Sequence, residues 1–81
     1  MSIPQKLENG AKVLAFVPFL HADMHGHALC LWGREFVTWQ VSFSHGEWFA
    51  EIGHYYGSRE PAMADFLRRI KNPALEERHP A

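Results

Sequence analysis

Two glycine-containing dipeptides, Gly33-Arg34 and His45-Gly46, bracket residues 35–44 in the middle of the chain, and apolar, β-branched and aromatic runs lie on either side of each. A two-residue connection between such runs is a hairpin loop, and a loop that short dictates register because the residues flanking it must face each other. With His45-Gly46 as the loop, Phe43 faces Trp48, Val41 faces Ala50, Trp39 faces Ile52 and Val37 faces His54. The alternate pairs are Ser42 with Phe49, Gln40 with Glu51, Thr38 with Gly53 and Phe36 with Tyr55. The same rule at Gly33-Arg34 sets Cys30 against Val37 and Ala28 against Trp39. One face of the resulting three-stranded unit is strongly apolar, and the other mixes Leu29, Leu31, Phe36, Phe49 and Tyr55 with polar residues.

The flanking segments complete the architecture. Lys12 to Leu20 reads as a further strand, placed at an edge or ending near Pro18 because proline has no amide to donate. Asn9-Gly10 before it is a turn dipeptide. After Gly57 the period changes: Ser58 is a suitable N-cap, Glu60 suits the positive end of a helix, and Pro61 is tolerated in the first turn. Ala62, Met63, Phe66, Leu67 and Ile70 recur at helical spacing, Asp65, Arg68, Arg69 and Lys71 fall outside that stripe, and Asn72-Pro73 ends the helix. The expected fold is α+β: an antiparallel β-meander of three to four strands in ββββα order, with one C-terminal amphipathic helix packed on one sheet face. The strongly apolar face is the one expected beneath the helix. One domain accounts for residues 1–81, with 1–11 and 73–81 peripheral. A chain this short buries only about 60–65% of its unfolded surface, so the core is small.

Composition weighs against several functional classes, although a nucleic-acid platform of stacking aromatics on the mixed sheet face, with Arg34 and Arg59 placed to meet phosphates, stays as a second alternative. The formal net charge of −1 supplies no positive field for nucleic acid or acidic membranes, and Arg34 is the main cation placed beside the mixed face. No apolar run approaches the length of a membrane span. The N-terminus has no signal-peptide pattern and the lone Cys30 forms no internal disulfide, so a cytoplasmic location is expected. No glycine-rich phosphate loop is present, and no cofactor is implied. Nucleophilic catalysis would need Cys30 or a serine beside an oriented histidine. The register brings Cys30 and His54 to the same Val37, but a cysteine under a helix has little substrate access, and a non-enzymatic role is expected.

Two features carry candidate function. The stretch HADMHGHALC (21–30) concentrates His21, His25 and His27, read as a solvated loop whose alternative is a metal-binding or pH-sensing module; His25 and His27, two apart on extended backbone, point the same way. The mixed sheet face, with Leu29, Leu31, Arg34, Phe36, Phe49 and Tyr55, is left uncovered by a single helix unless the N-terminal segment folds over it. It is the expected docking surface for a protein partner or a second copy of the chain, aromatics and arginine being the residues that dominate interfaces.

The run from Phe36 to Arg69, with FVTWQVSF, GEWFAEIGHYYGS and AMADFLRRI, resembles small uncharacterised bacterial and phage proteins built as a meander plus helix. Trp39, Gly53, Tyr55, Ala64, Phe66 and Arg69 carry the likeness, which implies a fold. Small size and an aromatic outer sheet face are similar to phage-encoded inhibitors, including anti-CRISPR proteins; that likeness implies a chain that binds a host protein.

Overall fold

The computed structural model describes residues 4–19 and 24–71. Four strands, β1 (Lys12–Pro18), β2 (His25–Trp32), β3 (Glu35–Ser44) and β4 (Glu47–Tyr56), form one antiparallel sheet in the order β1-β2-β3-β4, followed by a helix, α1 (Arg59–Lys71). This is the expected ββββα meander. Gly33 sits at φ 64°, as the first position of a type II′ turn requires, while His45 and Gly46 are both left-handed at φ 52° and 80°, the pattern of a type I′ turn. These turns set the β2–β3 register residue by residue, with Cys30 opposite Val37 and Ala28 opposite Trp39.

The β3–β4 register follows the two-residue-loop rule only as far as Val41 opposite Ala50, where a bulge at Glu51 intervenes. Beyond it Gln40 faces Ile52, Trp39 faces Gly53, Thr38 faces His54, Val37 faces Tyr55 and Phe36 faces Tyr56. A bulge adds one residue to one strand and so exchanges the faces of everything after it. Ile52 and His54 therefore leave the apolar face, and Gly53 and Tyr55 join it.

The two faces are also covered differently from expectation. The helix packs on the mixed face, where Ala62 and Phe66 meet buried Leu29, with Ala15, Phe36, Tyr56, Met63 and Ile70 around them. The strongly apolar face carries Ala28, Cys30, Val37, Trp39, Val41 and Trp48, and it is closed by Leu7 and Ala11 of the N-terminal segment. Residues 4–11 are thus not wholly peripheral. Their turn is held by Leu7 N–H to Ala11 O (3.0 Å), Gly10 N–H to Leu7 O (2.9 Å) and Ala11 N–H to the Asn9 side chain (2.9 Å). The arm bonds to both outer strands: Gln5 O accepts from Val13 N–H of β1, and Glu8 N–H donates to Trp48 O of β4. Phe16 of β1 also meets Trp48 of β4 edge to face, ring centroids 4.9 Å apart. Flat sheets separate strands three places apart by about 14 Å, so this sheet curls around the arm. Residues 73–81 lie outside the described residues, and no described helix is long and apolar enough to cross a membrane.

The helix face toward the sheet holds Ala62, Asp65, Phe66 and Arg69, all buried, whereas Leu67 is 46% exposed. Spacing of three and four puts these residues on one stripe, so two charges replace the apolar residues that hydrophobic periodicity selects.

Candidate interaction surface

Buried charges are costly unless each is hydrogen-bonded, and here the sheet supplies the partners. Thr38, central in β3, donates its hydroxyl to Asp65 Oδ2 at 2.6 Å. The Nδ1 of His54 lies 2.9 Å from the same oxygen, and Arg68 pairs with Oδ1. Arg69 donates to Thr38 O at 2.8 Å, to Thr38 Oγ1 at 2.9 Å and to Ile52 O at 2.9 Å. Burial opposes the charge on Asp65, but the Thr38 hydroxyl, the His54 ring and the Arg68 guanidinium outweigh it and hold the carboxyl below its ordinary value. The Tyr56 hydroxyl is pushed up, first by burial and then by Asp65 beside it. This network depends on the bulge, which brings His54 to the helix side of the sheet. Its groups are engaged with one another, and it works as a latch of helix on sheet.

The residues singled out for a docking surface do not form one surface. Leu29 is fully buried beneath the helix, and Phe36 is packed against the same cluster. Docking on them would require the helix to leave, because the helix occupies the face that was expected to be open. Leu31 and Phe49 are half-buried on that face, Arg34 is exposed in the β2–β3 turn, and Tyr55 lies on the opposite face as a result of the bulge.

What stands exposed instead is an aromatic cluster where β2, β3 and β4 end together. Trp32 is 39% and Tyr55 52% exposed, and both pack on Trp39, which is buried. Ring centroids are 5.3 Å apart for Trp32–Trp39 and 5.9 Å for Trp39–Tyr55, both edge to face, and 6.3 Å for Trp32–Tyr55. Trp39 lies flat against Gly53, where a Cβ would stand 2.6 Å from its Cδ1. Gly53 thereby seats the buried indole on which the exposed rings are braced. The sequence reading missed Trp32 because it stands next to a turn; its place opposite Glu35, on the same face as Trp39, was the available signal.

The histidine stretch is only in part a loop. His25 and His27 belong to β2 and share one neighbour, Phe19, at ring-centroid distances of 6.1 and 4.8 Å, so they do point the same way. His27 is buried in the strand and not solvated. His21 lies outside the described residues, and among the described residues no three His, Cys, Asp or Glu side chains gather as metal ligands. Cys30 and His54 are on opposite faces, separated by the sheet, so these two do not pair, and burial pushes the Cys30 thiol up to about 12. No protein-family model, curated protein or solved structure matches the chain.

Proposed function

We propose that the chain is a non-enzymatic interaction module that docks a protein partner on the Trp32–Tyr55 cluster, with Arg34 at its rim. One observation carries this reading: two large aromatic rings are exposed yet held in place by a buried third. Rings already immobilised lose little conformational freedom on binding, and desolvated Trp, Tyr and Arg side chains provide most interface energy. Its concrete form is an inhibitor that occupies a host protein, as the likeness to phage-encoded inhibitors implies.

The test places a photo-crosslinking benzoyl-phenylalanine at position 55 or, as control, at exposed Lys71, in the cells that naturally make the protein. A discrete adduct from position 55 that is absent from position 71, and that disappears with Trp32→Ala, is the expected outcome. An adduct at twice the chain mass would identify the partner as a second copy. Equal, diffuse labelling from both positions would refute docking at this cluster.

A further inference from the structure

From the open edge of β4 we infer, building on the docking reading above, that the partner is bound as an added β-strand: an extended segment with an acidic residue between two apolar ones, laid antiparallel along Gly53–Tyr55. In a two-residue hairpin the residues closing the loop share both hydrogen bonds, so Trp32–Glu35 and Ser44–Glu47 are bonded pairs. Alternation along β3 then directs its odd-numbered residues to β2 and its even-numbered residues to β4. Trp48, Gly53 and Tyr55 all face odd-numbered residues of β3, so their backbone groups point away from the sheet. At Trp48 this is visible directly, because its carbonyl accepts from Glu8 N–H at 2.7 Å. The arm thus closes the lower part of the edge. Among the described residues no backbone bond reaches the outward groups of Gly53 or Tyr55, so the open part of the edge coincides with the aromatic cluster.

The same geometry sets the chemistry of the added strand. Residues bonded to Gly53 and Tyr55 would project on the aromatic side, beside Trp39 and Tyr55, which favours apolar side chains. The residue between them would project on the helix side, opposite His54. The helix flank with Pro61, Ala64, Arg68 and Lys71 at helical spacing lies beside it, and Arg68 is the charged residue fixed there, because it pairs with the same Asp65 that His54 meets. The Arg68 side chain is 68% exposed while it pairs with Asp65, leaving guanidinium donors for a second carboxylate. A second copy of β4 in this place would set Arg68 against Arg68, which makes an acidic segment from another protein the better complement.

The experiment follows amide exchange by NMR in the full chain with the capped peptide Thr-Val-Glu-Val-Thr at roughly millimolar concentration, the range expected of a short strand. Slower exchange at Gly53 and Tyr55, with His54 unchanged because it already bonds to β3, is expected. The Thr-Val-Lys-Val-Thr peptide should bind roughly tenfold more weakly, since one attraction is replaced by one repulsion. Arg68→Glu, checked for folding by its melting curve, should reverse that preference. Unchanged exchange at Gly53 and Tyr55, or equal protection by both peptides, would overturn the inference. If exchange is unchanged but position 55 still crosslinks a partner, docking stands and strand addition fails; if both are negative, both fail.

Discussion

Gly53→Ala isolates the seat of the aromatic cluster. A methyl group at position 53 would overlap the Trp39 ring, with Cδ1 2.6 Å and Cε2 3.3 Å away and Nε1 nearer still. The indole cannot swing aside as a surface side chain would, because it is buried and carries Trp32 and Tyr55 against it. Overpacking of this kind costs about 1–3 kcal/mol. Replacing glycine in an extended strand returns about 0.5–1 kcal/mol by restricting the unfolded chain. Because the ring cannot yield, the cost falls in the upper half of that range, about 2–3 kcal/mol, and the net loss is about 1–2.5 kcal/mol, which for a domain of this size lowers the melting temperature by roughly 5–20 °C. Gly57 is the control: its backbone is not left-handed and nothing lies within 4 Å of the methyl group that alanine would add, so Gly57→Ala should melt at or slightly above the wild type. Thermal denaturation followed by near-ultraviolet circular dichroism reads both the melting temperature and the tryptophan environment. If Gly53→Ala melts within about 2 °C of the wild type with an unchanged aromatic spectrum, the indole is not seated as described.

Arg69→Met should destabilise by about 2–4 kcal/mol in urea denaturation, since it leaves Thr38 and Ile52 carbonyls and the Thr38 hydroxyl without their buried donor. Asp65 has a folded value below its reference of 3.8, so its contribution is present above that pH and disappears as pH falls through the folded value. Melting temperatures of the wild type should therefore fall more steeply below about pH 4 than those of Asp65→Asn, and parallel curves would contradict the latch. Cys30, buried and with its thiol raised to about 12, should resist a thiol reagent at pH 8 until denaturant is added; rapid labelling of the folded chain would show the inner face to be open.

The parts of the fold legible in the sequence are those set by local chemistry. Gly33-Arg34 and His45-Gly46 specify turn types, and turn types specify register, so the meander and the β2–β3 pairing follow directly. Ser58 and Pro61 likewise mark the start of the helix, while Asn72-Pro73, expected to end it, lies outside the described residues. The bulge is different, because Glu51 looks like any exposed strand residue and its extra place is chosen by what it does for its neighbours. Gly53 was the one hint: a glycine inside a strand often marks a bulge or a close approach, and a large ring opposite it needs that space. Hydrophobic periodicity then misjudged the helix, selecting Leu67 and passing over Asp65 and Arg69. Their burial is sustained by Thr38, His54 and Ile52 on other elements, and a pattern confined to one helix contains no record of such partners. The candidate surface was misplaced for the same reason. A slip of one residue in β4 moved Tyr55 to the other face, and the arm covered what the helix was expected to cover.

Glu51 also bears on how the chain can change in length. Along most of a solvent-facing edge strand, loss of one residue is absorbed by a shorter loop. Deleting Glu51 would be absorbed by the bulge itself: Ala50 and Ile52 already face Val41 and Gln40, so joining them leaves a regular ladder in which His54 still meets Asp65 and Gly53 still lies against Trp39. Related sequences should therefore be able to lose one residue at the bulge as well as at the arm or the hairpin tips, whereas a loss between Gly53 and Tyr56 turns over the residues that follow it.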